Sequence, residues 1–304
     1  MAITVSALYD LTLPGLRGIE GKYKMIPKQF GKVFESGVSK MGVERTVEAR
    51  FVGLPNLKFE GTSTAMDNGG GERFVYNHEH FEVGLGYAIT RKAIDDNLYE
   101  AEFPASNLGL QESFHQAQEI YAANVLNTAN VYNANIQGDG VALCSNAHPI
   151  DGNVWANTPA SVQLDLNESS LLSGLTGIRQ NFKDQAGLKV FARGRRLIVP
   201  PALEWVAARL VHTELRPGTS DNDVSALRAT GALPEGYEVM DFLTSPYPWF
   251  IQTTIPGLMY LERIPFEMSM EVDFTSDNLL VKGYQRYYFG YKNPRCIWGS
   301  FPTS

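Results

Sequence analysis

Between residues 74 and 130 the apolar positions change their spacing from strand-like to helix-like. Phe81, Val83, Leu85 and Tyr87 alternate with small or polar residues, the pattern of a strand with one covered face. Ala93, Ile94 and Leu98 then take up helical spacing. From about Ser106 to Ala129, Leu110, Phe114, Ala117, Tyr121 and Val125 form one stripe. Gln111, Glu112, His115, Gln118 and Glu119 are expected on the opposite, solvated face. Such a helix is about 35 Å long at ~1.5 Å per residue. Upstream, residues 46–87 predict a long β-hairpin. Val47, Ala49, Phe51, Leu57 and Phe59 give a broken outward alternation, and Phe74, Tyr76, His78, His80, Glu82 and Leu85 mark the return. Asp67-Asn68-Gly69-Gly70-Gly71 lies at the tip, where residues tolerant of positive φ are needed. The hairpin is too poor in apolar surface to order itself in water and is expected to lie on something else. Residues 1–45, interrupted by Pro14, Gly15, Gly18 and Gly21, read as an arm with a short helix over about 27–34.

Gln137-Gly138-Asp139-Gly140 breaks the chain, and a loop runs on through Pro149, Gly152 and Pro159. A second α/β block follows. Asn167 is placed to cap a helix carrying Leu171, Leu175, Ile178 and Phe182, with Gly187 as its stop. Leu188–Phe191 and Leu197–Val199 read as strands. Pro200-Pro201 opens another helix, in which Leu203, Val206, Ala207, Leu210 and Val211 keep i, i+3, i+4, i+7, i+8 spacing. Residues 216–237 are a polar loop. Segments 248–254, 258–264, 266–274 and 279–291 read as strands. No internal repeat is present.

The chain has 304 residues, 44% of them hydrophobic, enough for a large core in one or two domains. Its 26 basic and 33 acidic side chains leave a formal charge of −7, and no tract of five or six basic residues occurs. That disfavours sequence-specific recognition of nucleic acid, whose affinity comes from neutralising phosphates. Two cysteines, Cys144 and Cys296, make no disulfide framework and point to a reducing compartment. The first residues lack the basic start of a signal peptide, and no apolar run reaches the ~18 residues of a spanning helix. A soluble cytoplasmic product is expected, with no membrane partner.

Candidate chemistry is sparse. Cys144 and His148 resemble a thiol and its base, but a nucleophile also needs an orienting group and an oxyanion site. His78 and His80, with Glu82 next along, form a plausible metal set, against the plainer reading of an exposed polar strand face; zinc requires three or four ligands. Gly69-Gly70-Gly71 lacks the Gly-Lys-Ser/Thr of a phosphate loop. The segment starting at Asp221 lacks the glycine and glutamate of a calcium loop. No catalytic, cofactor or metal site is therefore assigned.

The order of parts resembles the major capsid proteins of tailed phages with the Hong Kong 97-like fold. The segment Phe81–Tyr99 is similar to the passage from hairpin to long helix in Mu-like major head subunits. Gly138-Asp139-Gly140 with Ser145-Asn146-Ala147-His148-Pro149 resembles the loop that leaves that helix. Gly187–Val190 and Leu197–Glu204 resemble the strand and helix that open the axial domain. Tyr284-Gln285-Arg286, Phe289-Gly290, Asn293-Pro294-Arg295 and Gly299-Ser300 resemble the last strands.

The resemblance implies an α+β fold: an N-terminal arm at 1–45, an extended E-loop at 46–85, a peripheral domain at 86–140 plus 263–304, and an axial domain at 141–262. It implies a non-enzymatic subunit, without cofactor or metal, that assembles into hexamers and pentamers of an icosahedral head around double-stranded DNA. The implied partners are other copies, a scaffolding protein, a portal, a decoration protein, and packaged DNA contacted without sequence preference. Assembly would take place in the host cytoplasm. Lys58, Glu60, Glu72 and Arg73 on the hairpin, and Asp221, Asp223 and Arg228 on the 216–237 loop, are the candidate assembly contacts. Members that cross-link Lys to Asn use a glutamate two residues before the arginine matched here by Arg286; that position is Tyr284, so no self-catalysed cross-link is expected.

Overall fold

The computed structural model of the chain describes residues 28–55, 60, 63, 64, 66, 67, 69–95, 99–160, 162–214 and 224–303. Lys58, Asp221 and Asp223 lie outside them. In chain order the strands are β1 (Glu35–Val38), β2 (Val43–Arg50), β3 (Gly71–Glu79), β4 (Phe81–Ile89), β5 (Gln137–Gly138), β6 (His148–Ile150), β7 (Asn153–Trp155), β8 (Gly194–Val199), β9 (Tyr237–Val239), β10 (Trp249–Thr253), β11 (Leu258–Val272), β12 (Leu279–Tyr291) and β13 (Ile297–Ser300). One sheet has the order β1-β11-β12-β4 and another β13-β10-β8-β9. The hairpin β2-β3 carries β5 on its edge, and β6-β7 form a small ribbon.

The first sheet packs under one long helix, Tyr99–Asn127. Leu110 and Phe114 meet Phe266, Leu279 and Val281 there, with the Phe114 and Phe266 rings 4.9 Å apart. Gly283 makes the contact possible, since a Cβ at that position would come within 2.8 Å of Phe114 and 2.9 Å of Phe266. Leu110 and Phe114 of the expected stripe are buried and Ala117 and Val125 half-buried, but the covered face is wider than the stripe. Asn107, Gln111, Gln118 and Glu119 are buried, whereas Tyr121 is exposed. Partners account for the burial of Glu119 and Gln118. Glu119 accepts the backbone N–H groups of Gln29 at 2.7 Å and Phe30 at 3.2 Å, and Gln118 donates to the Tyr260 hydroxyl at 3.3 Å.

Residues 30–38 differ from the expected arm. Phe30, Val33 and Phe34 are core residues, and the Phe30 ring lies 5.0 Å from both Tyr260 and Phe289. β1 then pairs in parallel with β11. Three apolar positions are too few to register as a periodic face, yet they fill the gap between the long helix and the sheet. The hairpin is also redrawn. Its returning strand is β3, with Val43 opposite Glu79 and Arg50 opposite Gly71, while β4 leaves it to pair with β12. The expected strands 258–264 and 266–274 are one strand, β11, whose pairing with β12 shifts on both sides of Ile264. Pro265 sits at that irregularity, where its missing N–H costs no ladder bond.

In the second block the Asn167 side chain accepts the Ser170 N–H, and the helix Glu168–Asn181 follows. It ends at Asn181, ahead of Gly187, which instead takes φ +80° in the next turn. Leu188–Phe191 contributes only an isolated bridge, Lys183 to Lys189. One 3-10 turn over Pro201–Leu203 leads into the helix Glu204–His212. Leu171, Ile178, Leu197, Ala207, Trp249, Ile251 and Trp298 form this block's core. β13 is hydrogen-bonded to β10, so the C-terminal strand belongs to this sheet, although residues 263–304 were all expected with the first block.

Candidate assembly surfaces

The hairpin carries several exposed apolar side chains and an inward face that is largely polar. Along β2, Glu44, Thr46 and Glu48 turn inward while Val43, Arg45 and Val47 face out. Each inward polar group has a partner. Glu44 accepts the Ser39 hydroxyl at 2.5 Å, and Thr46 lies 2.9 Å from His78 Nε2. Glu48 takes Arg295 Nη1 at 2.5 Å, Gln185 Nε2 at 3.0 Å and the Tyr76 hydroxyl at 3.4 Å. Arg295 is buried, donates to the Lys183 carbonyl at 2.6 Å, and lies 4.8 Å from the Trp155 ring centroid. These contacts fasten the hairpin stem to the second block.

The outer part is held differently. Pairing shifts between Glu48 and Ala49, which loosens the ribbon there. Arg50 reaches Asp67 at 3.1 Å and Asp151 at 3.4 Å, and Arg73 reaches Asp151 at 3.7 Å. Asp67 also accepts the Gly69 and Gly53 N–H groups, at 2.8 and 2.6 Å. The Gly69 N–H, the Arg50 guanidinium and the Gly53 N–H together hold its carboxyl down to about 2. Beyond Arg50 the apolar side chains point to solvent: Phe51 is 73% exposed, Leu54 76% and Met66 84%. Val52 is 68% exposed as well, and none of these four apolar residues was among the charged candidate contacts. The signal was the run Phe51-Val52-Gly53-Leu54.

Of the candidate contacts, Glu60, Glu72 and Arg73 are exposed. Arg73 is engaged by its own chain through Asp151. Arg228 is likewise committed internally, to Glu214 at 3.0 Å and to the His212 carbonyl.

Neither proposed chemical site assembles. His78 and His80 are buried, not an exposed face, and their Nε2 atoms meet Thr46 and Ser39. Burial pushes the His78 imidazole down to about 4 and lowers His80 as well. Glu82 is in the other sheet, 3.7 Å from Arg286. Among the described residues no group of three or more His, Cys, Asp or Glu is placed to hold a metal ion. His148 is bound on both nitrogens, to Asp139 at 2.6 Å and Asn157 at 3.0 Å, and stacks on Trp155. Cys144 is buried in the main core, and burial pushes its thiol up, the reverse of what a nucleophile needs. A crevice of about 160 Å³ beside the long helix is lined by Phe81, Val125, Ile136, Leu143 and Phe289 among others and holds no carboxylate, imidazole or amine. No described helix is long and apolar enough to cross a membrane.

Solved structures share this architecture. A virus-like particle subunit from Pyrococcus furiosus superposes with a TM-score of 0.55 at 11% identity, covering 94% of this chain and 98% of the other. The capsid subunit of an empty GTA particle gives 0.57 at 11% identity, covering 91% of each chain. The procapsid subunit of bacteriophage JBD30 gives 0.52 at 11% identity, covering 99% of this chain and 77% of the other. No curated protein sequence matches the chain. The fold is thus that of the Hong Kong 97-like shell subunits, a mixed α+β architecture built to tile. Residues 82–299 match the family described as phage capsid protein, and the chain belongs to that family. It is a structural subunit of a capsid.

Proposed function

We propose that this subunit forms the wall of an icosahedral phage head, as hexamers and pentamers around double-stranded DNA, with each hairpin lying on a neighbouring copy. The observation that carries this is the division of the hairpin at Arg50. Its stem is fastened to its own chain through Glu48 and Arg295, while Phe51, Val52, Leu54 and Met66 have no cover. An apolar patch on a projecting ribbon is stable when a second copy covers it. In this reading the arm, E-loop, peripheral and axial domains keep the assignments 1–45, 46–85, 86–140 with 263–304, and 141–262, adjusted so that Phe30–Val38 and β13 act as core. Lys58, Glu60, Glu72, Asp221 and Asp223 lie at contacts between copies. Exposed ion pairs there contribute only ~0–1 kcal/mol each, which lets a growing shell release misplaced subunits before multivalency locks it. Scaffolding, portal and decoration proteins complete the particle, and assembly takes place in the host cytoplasm. The charge of −7 suits a container that does not grip its DNA. The subunit performs no catalysis and forms no covalent cross-link.

Arg50 and Gly71 face each other across the hairpin, so an Asn-Gly turn replacing residues 51–70 closes it without strain. The shortened subunit is expected to keep the wild-type melting midpoint and to form no shells by electron microscopy. Shells at wild-type yield, or a subunit that no longer folds, would each refute the assignment.

A further inference from the structure

The second block holds a cleft whose charge its own chain leaves unbalanced. It has a volume of about 380 Å³, within the ~300–1,000 Å³ of small-ligand sites. One wall is the helix Glu168–Asn181, where Leu172, Leu175, Thr176 and Arg179 recur at the spacing of a single helical face. The opposite wall is the turn at Thr230–Ala232, and Arg193 and Thr254 add to the lining. The Thr254 N–H donates to the Arg193 carbonyl at 2.9 Å, and the Arg193 N–H donates to the Thr254 hydroxyl at 3.3 Å. Gly194 lets this backbone lie against the helix, since a Cβ there would come within 2.4 Å of Leu175. Both arginines are thus rooted on packed main chain around one opening.

The other described arginines of this block each have an acceptor. Arg195 and Arg196 share Glu235 at 2.5 and 2.7 Å, Arg228 holds Glu214, and Arg209 donates to the Trp205 carbonyl at 3.3 Å. The guanidinium groups of Arg179 and Arg193 are exposed and have no acceptor among the described residues. No described carboxylate lines the cleft. Glu235 follows Pro234 of the lining, but Arg195 and Arg196 take it up. On a chain of charge −7, two uncompensated cations at one cleft are a local exception. A place in the last helical turn suits Arg179 through the helix dipole, and leaves Arg193 unexplained. One carboxylate saturates one guanidinium fork. Two forks with the Thr176 and Thr254 hydroxyls suit a group with more oxygens and more charge, which is phosphate.

We propose that the cleft between Arg179 and Arg193 is a phosphate-binding site. It goes beyond the capsid reading and stands whether or not shells form. The phosphate is either free or part of a DNA backbone, and two probes separate these sources. Calorimetric titration of the unassembled subunit with sodium phosphate is expected to show binding that Arg179→Ala or Arg193→Ala weakens about tenfold or more. The double alanine variant should not bind. Arg179→Lys with Arg193→Lys, which keeps the charge without the fork, should fall between wild type and the alanine double. These variants are expected to keep the wild-type melting midpoint, because neither guanidinium has a partner in the chain. Arg209→Ala, outside the cleft, should bind as wild type does. A short DNA duplex that binds more tightly than phosphate, with a slope of about −2 in log K against log salt that the double alanine change abolishes, identifies the backbone as the source. A duplex that binds no better identifies free phosphate. Sodium acetate that competes as well as phosphate at equal ionic strength would assign the cleft to carboxylates and overturn the proposal. So would binding that survives the double alanine change, binding that Arg209→Ala weakens equally, or no binding by wild type.

Discussion

Arg295→Ala removes the fastening between hairpin stem and second block, and its cost follows from burial. The Arg295 side chain is 5% exposed and Glu48 is 17% exposed. Removing one partner of a buried ion pair costs ~3–5 kcal/mol, because the survivor stays desolvated and unpaired. Glu48 keeps its bonds from Gln185 and Tyr76, which places Arg295→Ala at the low end, ~3 kcal/mol. Glu48→Ala falls in the same range, since Arg295 keeps Lys183 and Trp155. At ~2.1 cal/mol/K of unfolding entropy per residue, a chain of 304 residues shifts by ~1.6 °C per kcal/mol, so either change lowers the melting midpoint by about 5 °C. The pair also has a coupling signature. Its charge-assisted hydrogen bond is worth ~1.5–3 kcal/mol, so the double variant should cost less than the two single costs added by about that amount. Urea unfolding of dilute, unassembled subunit, followed by tryptophan fluorescence, measures all four corners of the cycle. Single costs that add to the double within ~0.5 kcal/mol would refute the fastening, because independent sites behave that way.

Acid should weaken the same stem. His78 titrates near 4 when folded and near its ordinary 6.5 when unfolded, so between those values the unfolded chain binds more protons. Stability from this group is present above about pH 6.5 and is lost as pH falls towards 4. The urea midpoint of His78→Gln should therefore drop less from pH 7 to 4.5 than that of wild type; equal drops would exclude the role. Asn157 is a buried junction whose Nδ2 lies 2.7, 3.0 and 3.2 Å from the Leu143, Pro294 and Ile297 carbonyls, while its Oδ1 accepts the Ser145 N–H at 2.8 Å. Asn157→Ala strands several of these groups at ~1–3 kcal/mol each, so a loss of at least ~3 kcal/mol is expected in the same unfolding assay. A loss below ~1 kcal/mol would mean that water replaces the side chain.

Much of the local structure was legible in the sequence. The strand predicted at 279–291 is β12, Asn167 caps its helix, and the spacing from Leu203 to Val211 is a helix. The order of these parts carried the resemblance to phage capsid subunits, and the fold agrees with it. Periodicity reports which residues would suit a buried face, one short window at a time. It cannot report partners brought from elsewhere in the chain. Glu119 looked solvated until Gln29 and Phe30, about 90 positions away, supplied their N–H groups. Nothing in its neighbourhood along the chain marks Glu48 for burial; its partner Arg295 comes from 247 positions away. His78 and His80 were neither ligands nor surface, because β11 and β12 place Tyr288 against both imidazoles. The sequence by itself determined the elements and their order, through backbone propensity and amphipathic spacing. Tertiary structure alone decided which polar groups could leave water, because burial of a polar group depends on a partner whose position only the packed chain defines.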